Sequence, residues 1–199
     1  MRTHQRVRRQ SLFIRDGKVT PVLALSELEE VRIPPLEALE AFVTSGGLSI
    51  TSWTFAGRLR VLENKTLRYP GHCALMRGLK EAGLGSYPPG VPLYLLEERL
   101  RDPEARDVCV IHIRARGRKD GRPAEARVQL VDYYDEATGF SAMEKFTGWH
   151  AAIVLELAVK EEIPPGATPI ERALSGERFL PEAARRGWTV YHSSQFETA

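Results

Sequence analysis

Twice along 199 residues an Asp-Gly pair stands between two stretches of alternating apolar residues, and nothing else in the chain constrains its fold as tightly. Asp-Gly readily adopts the positive-φ backbone of a two-residue reversal, so the flanking runs are predicted to pair as antiparallel hairpins. The first hairpin joins residues 11–14 to residues 19–23 through Arg15-Asp16-Gly17-Lys18. The second joins Val108, Val110, Ile111 and Ile113 to Ala126, Val128, Leu130 and Val131 through Lys119-Asp120-Gly121-Arg122. Its length and apolar content predict central strands.

The remaining pattern is mixed. Residues 36–43 fit a strand or a short helix, and their end in Thr44-Ser45-Gly46-Gly47 favours a strand entering a tight loop. Residues 58–69 alternate polar and apolar, as a half-buried strand does, until Pro70-Gly71 stops them. Leu75, Leu79 and Ala82, with Met76 beside them, recur at helical spacing, which predicts a helix over 72–82 with Gly83 as its C-terminal cap. A short helix is predicted over 93–100 after Pro92. Ser141 and Glu144 form an S-x-x-E capping box that opens the longest helix, with a stripe through Met143, Phe146, Trp149, Ile153 and Leu157. A further helix over 179–186, capped by Gly187, and a last strand over 189–191 complete the pattern. The fold class is α+β: a mixed, largely antiparallel sheet with helices packed on it.

Composition excludes several functions. A formal charge of +2 gives no general attraction for nucleic acid, although Arg2, Arg6, Arg8 and Arg9 form a basic arm within residues 1–18. That arm reads as a phosphate contact or, more plainly, as a frayed terminus. No run is apolar enough to span a membrane, and Cys73 and Cys109 stand alone without a metal-ligand pattern, so a cytoplasmic protein is expected, with no metal. Neither G-x-G-x-x-G at a strand–helix junction nor a P-loop, a G-x-S-x-G or an H-E-x-x-H occurs. Gly83-Leu84-Gly85 comes after a helix, the wrong context for a nucleotide loop.

The densest polar cluster is Lys65-Thr66-Leu67-Arg68-Tyr69-Pro70-Gly71-His72, at a strand-to-helix junction. Free amides and the positive end of a helix dipole favour an anion there, and Arg68 suits a bidentate carboxylate. Tyr69 adds a hydroxyl, and the dipole favours a neutral His72 able to donate or accept a hydrogen bond. The plainer alternative pairs Arg68 with an internal acid, packs Tyr69 at the strand end and uses His72 as a cap. Thr44, Ser45 and Gly46 form a small polar loop that admits close backbone approach by a ligand, or simply a turn. His150 on the helix stripe reads as a core or interface histidine, His112 as a solvent-facing strand residue, and Cys73 as a thiol without a base.

The string Lys65-Thr66-Leu67-Arg68-Tyr69-Pro70-Gly71-His72 resembles the KTLRYPGH signature of the saccharopine dehydrogenase and lysine 6-dehydrogenase family. Pro21-Val22-Leu23-Ala24-Leu25-Ser26-Glu27-Leu28-Glu29 is similar to its PALSELE stretch, and Ala41-Phe42-Val43-Thr44-Ser45-Gly46-Gly47-Leu48 to its AFVTSGGL strand and loop. Asp135-Glu136-Ala137-Thr138-Gly139-Phe140-Ser141-Ala142-Met143-Glu144 is similar to its DEATGFTAMER stretch, and Thr147-Gly148-Trp149-His150-Ala151-Ala152-Ile153 comes next in the same order.

The resemblance spans residues 19–180 and touches only the C-terminal, substrate-side domain of that family. It implies hydride transfer between an amino-acid-type amine, such as lysine or saccharopine, and NAD or NADP. The cofactor belongs to a Rossmann domain that these residues do not contain, either missing or on a separate chain. Substrate contacts are expected from Lys65, Arg68, Tyr69, His72, Thr44, Ser45 and Gly46, and the catalytic residues are unassigned. A homodimer is expected through the sheet, with the strand edges of the 108–131 hairpin available. No cofactor is expected to bind this chain alone. Residues 181–199 form a tail that in the family returns towards the nucleotide domain, which makes Trp188 and Tyr191 candidates for an exposed surface. A non-catalytic module that binds an amino acid or polyamine, or that assembles with another protein, is the alternative.

Overall fold

The computed structural model describes residues 10–48, 50–82, 102 and 104–196. The basic arm before Gln10, the Gly83 cap and the helix predicted over 93–100 lie outside the described residues. The chain divides into two compact units, residues 1–103 and 104–199.

In the first unit, β1 (Gln10–Arg15) and β2 (Lys18–Leu23) pair antiparallel with Arg15 opposite Lys18. The reversal is the two-residue turn expected, with φ of 48° at Asp16 and 79° at Gly17. A second, three-stranded antiparallel sheet has the order β3 (Glu29–Arg32), β4 (Ala38–Phe42), β5 (Thr66–Arg68). Four consecutive residues of the central β4, Leu39 to Phe42, are buried, which is why its sequence does not alternate and reads equally as a helix. Phe13, Ile14, Ile33, Leu39, Ala41, Phe42, Val43 and Cys73 make the core.

The strand expected over 58–69 is interrupted. Leu62 forms an isolated bridge to Ile14, exchanging hydrogen bonds of 2.9 and 3.1 Å, and only Thr66–Arg68 pairs with β4. The alternating segment thus serves two sheets in succession. A short helix absent from the sequence pattern, α1 (Thr51–Phe55), comes after the loop that leaves β4, and Ser52 donates from its hydroxyl to the Leu12 carbonyl at 2.5 Å. Helix α2 (His72–Glu81) begins at Gly71, whose φ of 97° marks an abrupt entry.

The second unit is one sheet with helices. Strands β6 (Val108–Lys119), β7 (Arg122–Tyr133) and β8 (Tyr191–Phe196) are antiparallel in that order. Helix α3 (Ala142–Val159) and the shorter α4 (Ile170–Ala173) and α5 (Gly176–Arg185) accompany it. The core gathers Leu130, Ile153, Leu157, Ala183 and Trp188, with Phe146 and Trp149 packed against them.

Several expectations change here. Among the described residues only β7 lies between two strands, and β6 is exposed from Ile111 onward. The reason is composition, since Ala115, Gly117, Ala124 and Ala126 give the outer ribbon little apolar area to bury. Met143, at the margin of the α3 stripe, is 59% exposed. Trp188 is only 7% exposed, because its ring meets those of Phe146 and Trp149 at 5.3 and 5.5 Å and its Nε1–H donates to Asp132 at 3.0 Å. It belongs to the unit's own core, whereas Tyr191 is exposed. His150 is exposed too, with its ring 5.4 Å from that of Phe179. The last strand begins at Tyr191 rather than Thr189.

Candidate functional site

Strand β4 is the spine on which the site is built, and its middle and its C-terminal end carry different chemistry. At its C-terminal end the Thr44 hydroxyl meets the Thr66 hydroxyl at 2.6 Å. Beside Thr66, the Lys65 ammonium lies 3.1 Å from a Glu29 oxygen and 3.9 Å from Glu27. Glu27 also accepts from Arg15 at 2.8 Å, and Arg15 reaches Glu63 at 2.9 Å. The Arg15 guanidinium holds the Glu63 carboxyl below the usual carboxylate range and is itself raised by that hydrogen bond. Arg15, Lys65, Glu27, Glu29 and Glu63 therefore form one ion-pair network with a single excess negative charge.

The carboxylate of Glu27 comes from the loop after β2 and that of Glu29 from the first residue of β3, and the loop is strained. Leu25 and Glu27 sit at φ of 62° and 52°, positions that cost a residue with a Cβ about 1–2 kcal/mol each. Three bonds hold the loop: Leu25 N–H to the Val43 carbonyl at 2.6 Å, Val43 N–H to the Ser26 carbonyl at 3.1 Å, and Arg77 Nε–H to the Leu25 carbonyl at 2.7 Å. These bonds tie residues 21–29 to residues 41–48 and to α2, and residues 65–72 join them through the β4–β5 pairing and the Lys65–Glu29 contact. A shallow open depression lies between this loop and α2, lined by Ala24, Leu25, Ser26, Arg77, Lys80 and Glu81 among others.

The middle of β4, at Glu40, faces the start of α2, the place where the sequence points to an external anion. That place is taken. Glu40, only 8% exposed, accepts from Gly71 N–H at 3.0 Å and from Cys73 N–H at 2.5 Å. The helix start does favour a carboxylate, and the carboxylate is the protein's own. The guanidinium of Arg68, opposite Glu40 in the ladder, is exposed and donates to the Leu67 carbonyl at 2.8 Å. Tyr69 is 64% exposed, and the His72 ring stacks on Phe42 at 6.1 Å and 21°.

The expected site residues therefore form two groups. Arg68, Tyr69 and His72 lie around the start of α2. Lys65, Thr44, Ser45 and Gly46 lie at the C-terminal end of β4, four residues or about 13 Å along the ladder from the Arg68 position, and the His72 ring reaches back to Phe42 near that end. Gly46, at φ of 94°, needs the freedom of glycine, and a Cβ on Gly47 would stand 3.1 Å from the Asn64 side chain. Sequence reasoning does not single out Glu27, Glu29, Arg15, Glu63 or Glu40. Glu27 and Glu29 stand within the PALSELE-like stretch, but Glu40, Arg15 and Glu63 carry no local signal.

A nucleotide does not fit the described residues at the places it would seek first. The starts of the three longer helices are each occupied by a protein oxygen: Glu40 at α2, Asp107 together with Ser141 at α3, and Ser175 at α5. A pyrophosphate would have to displace them. Among the described residues no group of three or more His, Cys, Asp or Glu could hold a metal ion, and no helix is long and apolar enough to cross a membrane.

Sequence comparison with protein families matches residues 3–187 to the one described as the saccharopine dehydrogenase C-terminal domain. The chain belongs to that family. Among solved structures, apo histidine-tagged saccharopine dehydrogenase (L-Glu forming) from Saccharomyces cerevisiae is similar, with a TM-score of 0.69 and 16% identity over 95% of this chain. At that identity the likeness is one of fold, and it supports the α+β assignment. The present chain spans 59% of the yeast chain's length. Within the saccharopine dehydrogenase C-terminal domain, the three segments quoted from residues 21–72 are the ones that the strained loop, β4 and α2 bring into contact.

Proposed function

We propose that this domain forms the substrate-side wall of a saccharopine dehydrogenase-like oxidoreductase that acts on an amino-acid-type amine. The supporting observation is the convergence of three family segments around β4, held there by a loop strained at Leu25 and Glu27. Such strain persists only where surrounding bonds over-determine it, and it concentrates at functional sites. Arg68, Tyr69 and His72 are the exposed groups to receive the substrate carboxylate, with the Arg68 fork as its main contact. The ion-pair network at the C-terminal end of β4, with its excess negative charge, suits the substrate's ammonium, and Thr44, Ser45 and Gly46 line the approach. NAD or NADP is held by a separate nucleotide-binding domain, and hydride transfer occurs against that domain.

Titration of the chain with saccharopine and with lysine, monitored through the side-chain resonances of Arg68 and His72, tests the reading. Saturable shifts that Arg68→Ala abolishes are expected. Shifts unaffected by that substitution would remove Arg68 from the site. Calorimetry with both dinucleotides is expected to show no micromolar affinity, and a nicotinamide absorbance assay only background turnover. Micromolar binding would place a nucleotide site within this chain.

The partner reading is a homodimer through the β6–β7–β8 sheet. Support comes from the face on which Ile111, Ile113, Val128 and Phe196 stand partly or largely exposed, with Lys119 and Arg122 at its outer end. Light scattering at micromolar concentration is expected to give twice the formula mass of 22.3 kDa. A monomer would remove this reading and leave the substrate wall untouched.

A further inference from the structure

The depression between the loop after β2 and helix α2 takes no part in the substrate wall, yet it has the makings of a site of its own. Its volume is about 260 Å³. One side is formed by the loop at Leu23, Ala24, Leu25 and Ser26, and the other by Arg77, Lys80 and Glu81, whose spacing of three and four puts them on one face of α2. The loop side is mainly apolar, and Leu23 is 62% exposed there.

Arg77 departs from the other half-buried arginines. Arg15, Arg178 and Arg186 are each paired with carboxylates of this chain, whereas Arg77 meets only a neutral group, the Leu25 carbonyl, to which its Nε–H donates at 2.7 Å. That bond fixes the guanidinium plane. The terminal amino groups, which form the other edge of the fork, have no partner among the described residues, and Lys80, one turn further on, forms no ion pair among them either.

We propose that the depression binds a small aliphatic carboxylate, which takes the free edge of the Arg77 fork with Lys80 as second cation and lays its apolar chain along Leu23 and Ala24. A planar carboxylate matches two parallel N–H donors. A phosphate dianion fits less well, because Glu81 and the carbonyl end of α2 both oppose added negative charge. A free short-chain acid and an aliphatic amino acid share the required chemistry. The occupant also steadies the loop, since the same guanidinium holds Leu25 at its φ of 62°. Arg68, Tyr69 and His72 take no part, so this site and the substrate wall stand or fall separately.

NMR titration of the full chain with hexanoate, read at the Arg77 Nε–H and at the Leu25 and Ser26 amides, tests the proposal. Saturable shifts are expected, with slower hydrogen exchange at the Leu25 amide on saturation. Arg77→Lys keeps the charge but loses the fork and should weaken binding about tenfold. Lys80→Glu, at an exposed position that leaves the Arg77–Leu25 bond in place, should weaken it about fivefold. Norleucine in a parallel titration identifies the source: equal affinity assigns the site to amino acids, and hexanoate binding alone assigns it to simple acids. Absence of saturable shifts, an equal response to hexylamine, tighter binding of inorganic phosphate, or affinity unchanged by both substitutions overturns the proposal.

Discussion

The starts of α2 and α3 solve the same problem with different parts of the chain. Each helix offers unpaired N–H groups at its first turn, and each receives a carboxylate. At α3 a local cap and a remote one act together: Ser141 accepts from Glu144 N–H at 3.1 Å, Glu144 accepts from Ser141 N–H at 2.8 Å, and Asp107, 35 positions before Ala142, accepts from Ala142 and Met143 N–H at 2.7 and 2.9 Å. At α2 the glycine before the helix has no side chain to cap with, and Glu40, 31 positions earlier in sequence, supplies the acceptor from the neighbouring strand. A helix start held by both a local box and a remote carboxylate keeps its place when one contact is lost. A helix capped by a strand couples its start to the sheet, so residues 65–72 keep their place only while β4 keeps its own.

The sharpest test of this contrast is Glu40→Ala. It leaves two N–H groups without their charged acceptor in a largely buried place, for a loss of about 3 kcal/mol in denaturant unfolding. It also frees the anion position at the helix start, so sulfate or citrate should stabilise the variant and leave the parent unaffected. A loss under about 0.5 kcal/mol, the level of an ordinary surface change, would mean that α2 does not depend on β4.

Ser141→Ala is the matched experiment at α3, with an expected loss of about 1 kcal/mol, the usual value of an N-cap. Asp107 still holds the next two N–H groups, so the helix should remain intact by circular dichroism. If Ser141→Ala costs as much as Glu40→Ala, local and remote capping are equivalent here and the contrast fails.

Legibility in the sequence divides along the same line. Both hairpins and the capping box rest on residues adjacent in the chain, and local pattern is enough to find them. Strand β4 is ambiguous because burial on both sides erases alternation. A free anion site at α2 is the wrong expectation, because Glu40 looks like any surface glutamate until the strand is placed beside the helix. Thr44 and Arg68 belong to one family pattern, and only the antiparallel register shows that four residues of β4 separate their positions. Trp188 reads as a tail residue bound for another domain; its partners Phe146, Trp149 and Asp132 lie about forty to fifty-six positions away, beyond local pattern.

The smallest expected effect concerns acid sensitivity, where both units should behave alike. In the first unit Arg15 lowers Glu63, and in the second the hydrogen bonds from Lys160 and then Arg186 lower Glu156 to about 2 from an ordinary value of 4.5. A carboxylate whose folded pKa is depressed stabilises the protein above its unfolded pKa, and that contribution fades as pH falls through the folded value. For Glu156 the window runs from about 4.5 down to about 2, with no loss expected between pH 5 and 8. Salt screens both pairs because both are partly exposed, so each effect shrinks as ionic strength rises. Carboxyl resonances tracked by NMR would locate the Glu156 midpoint directly. Lys160→Ala should move that midpoint upward towards the ordinary range while leaving Glu63 unchanged. A Glu156 midpoint near 4.5 in the parent protein would mean that the Lys160 and Arg186 contacts do not persist in solution.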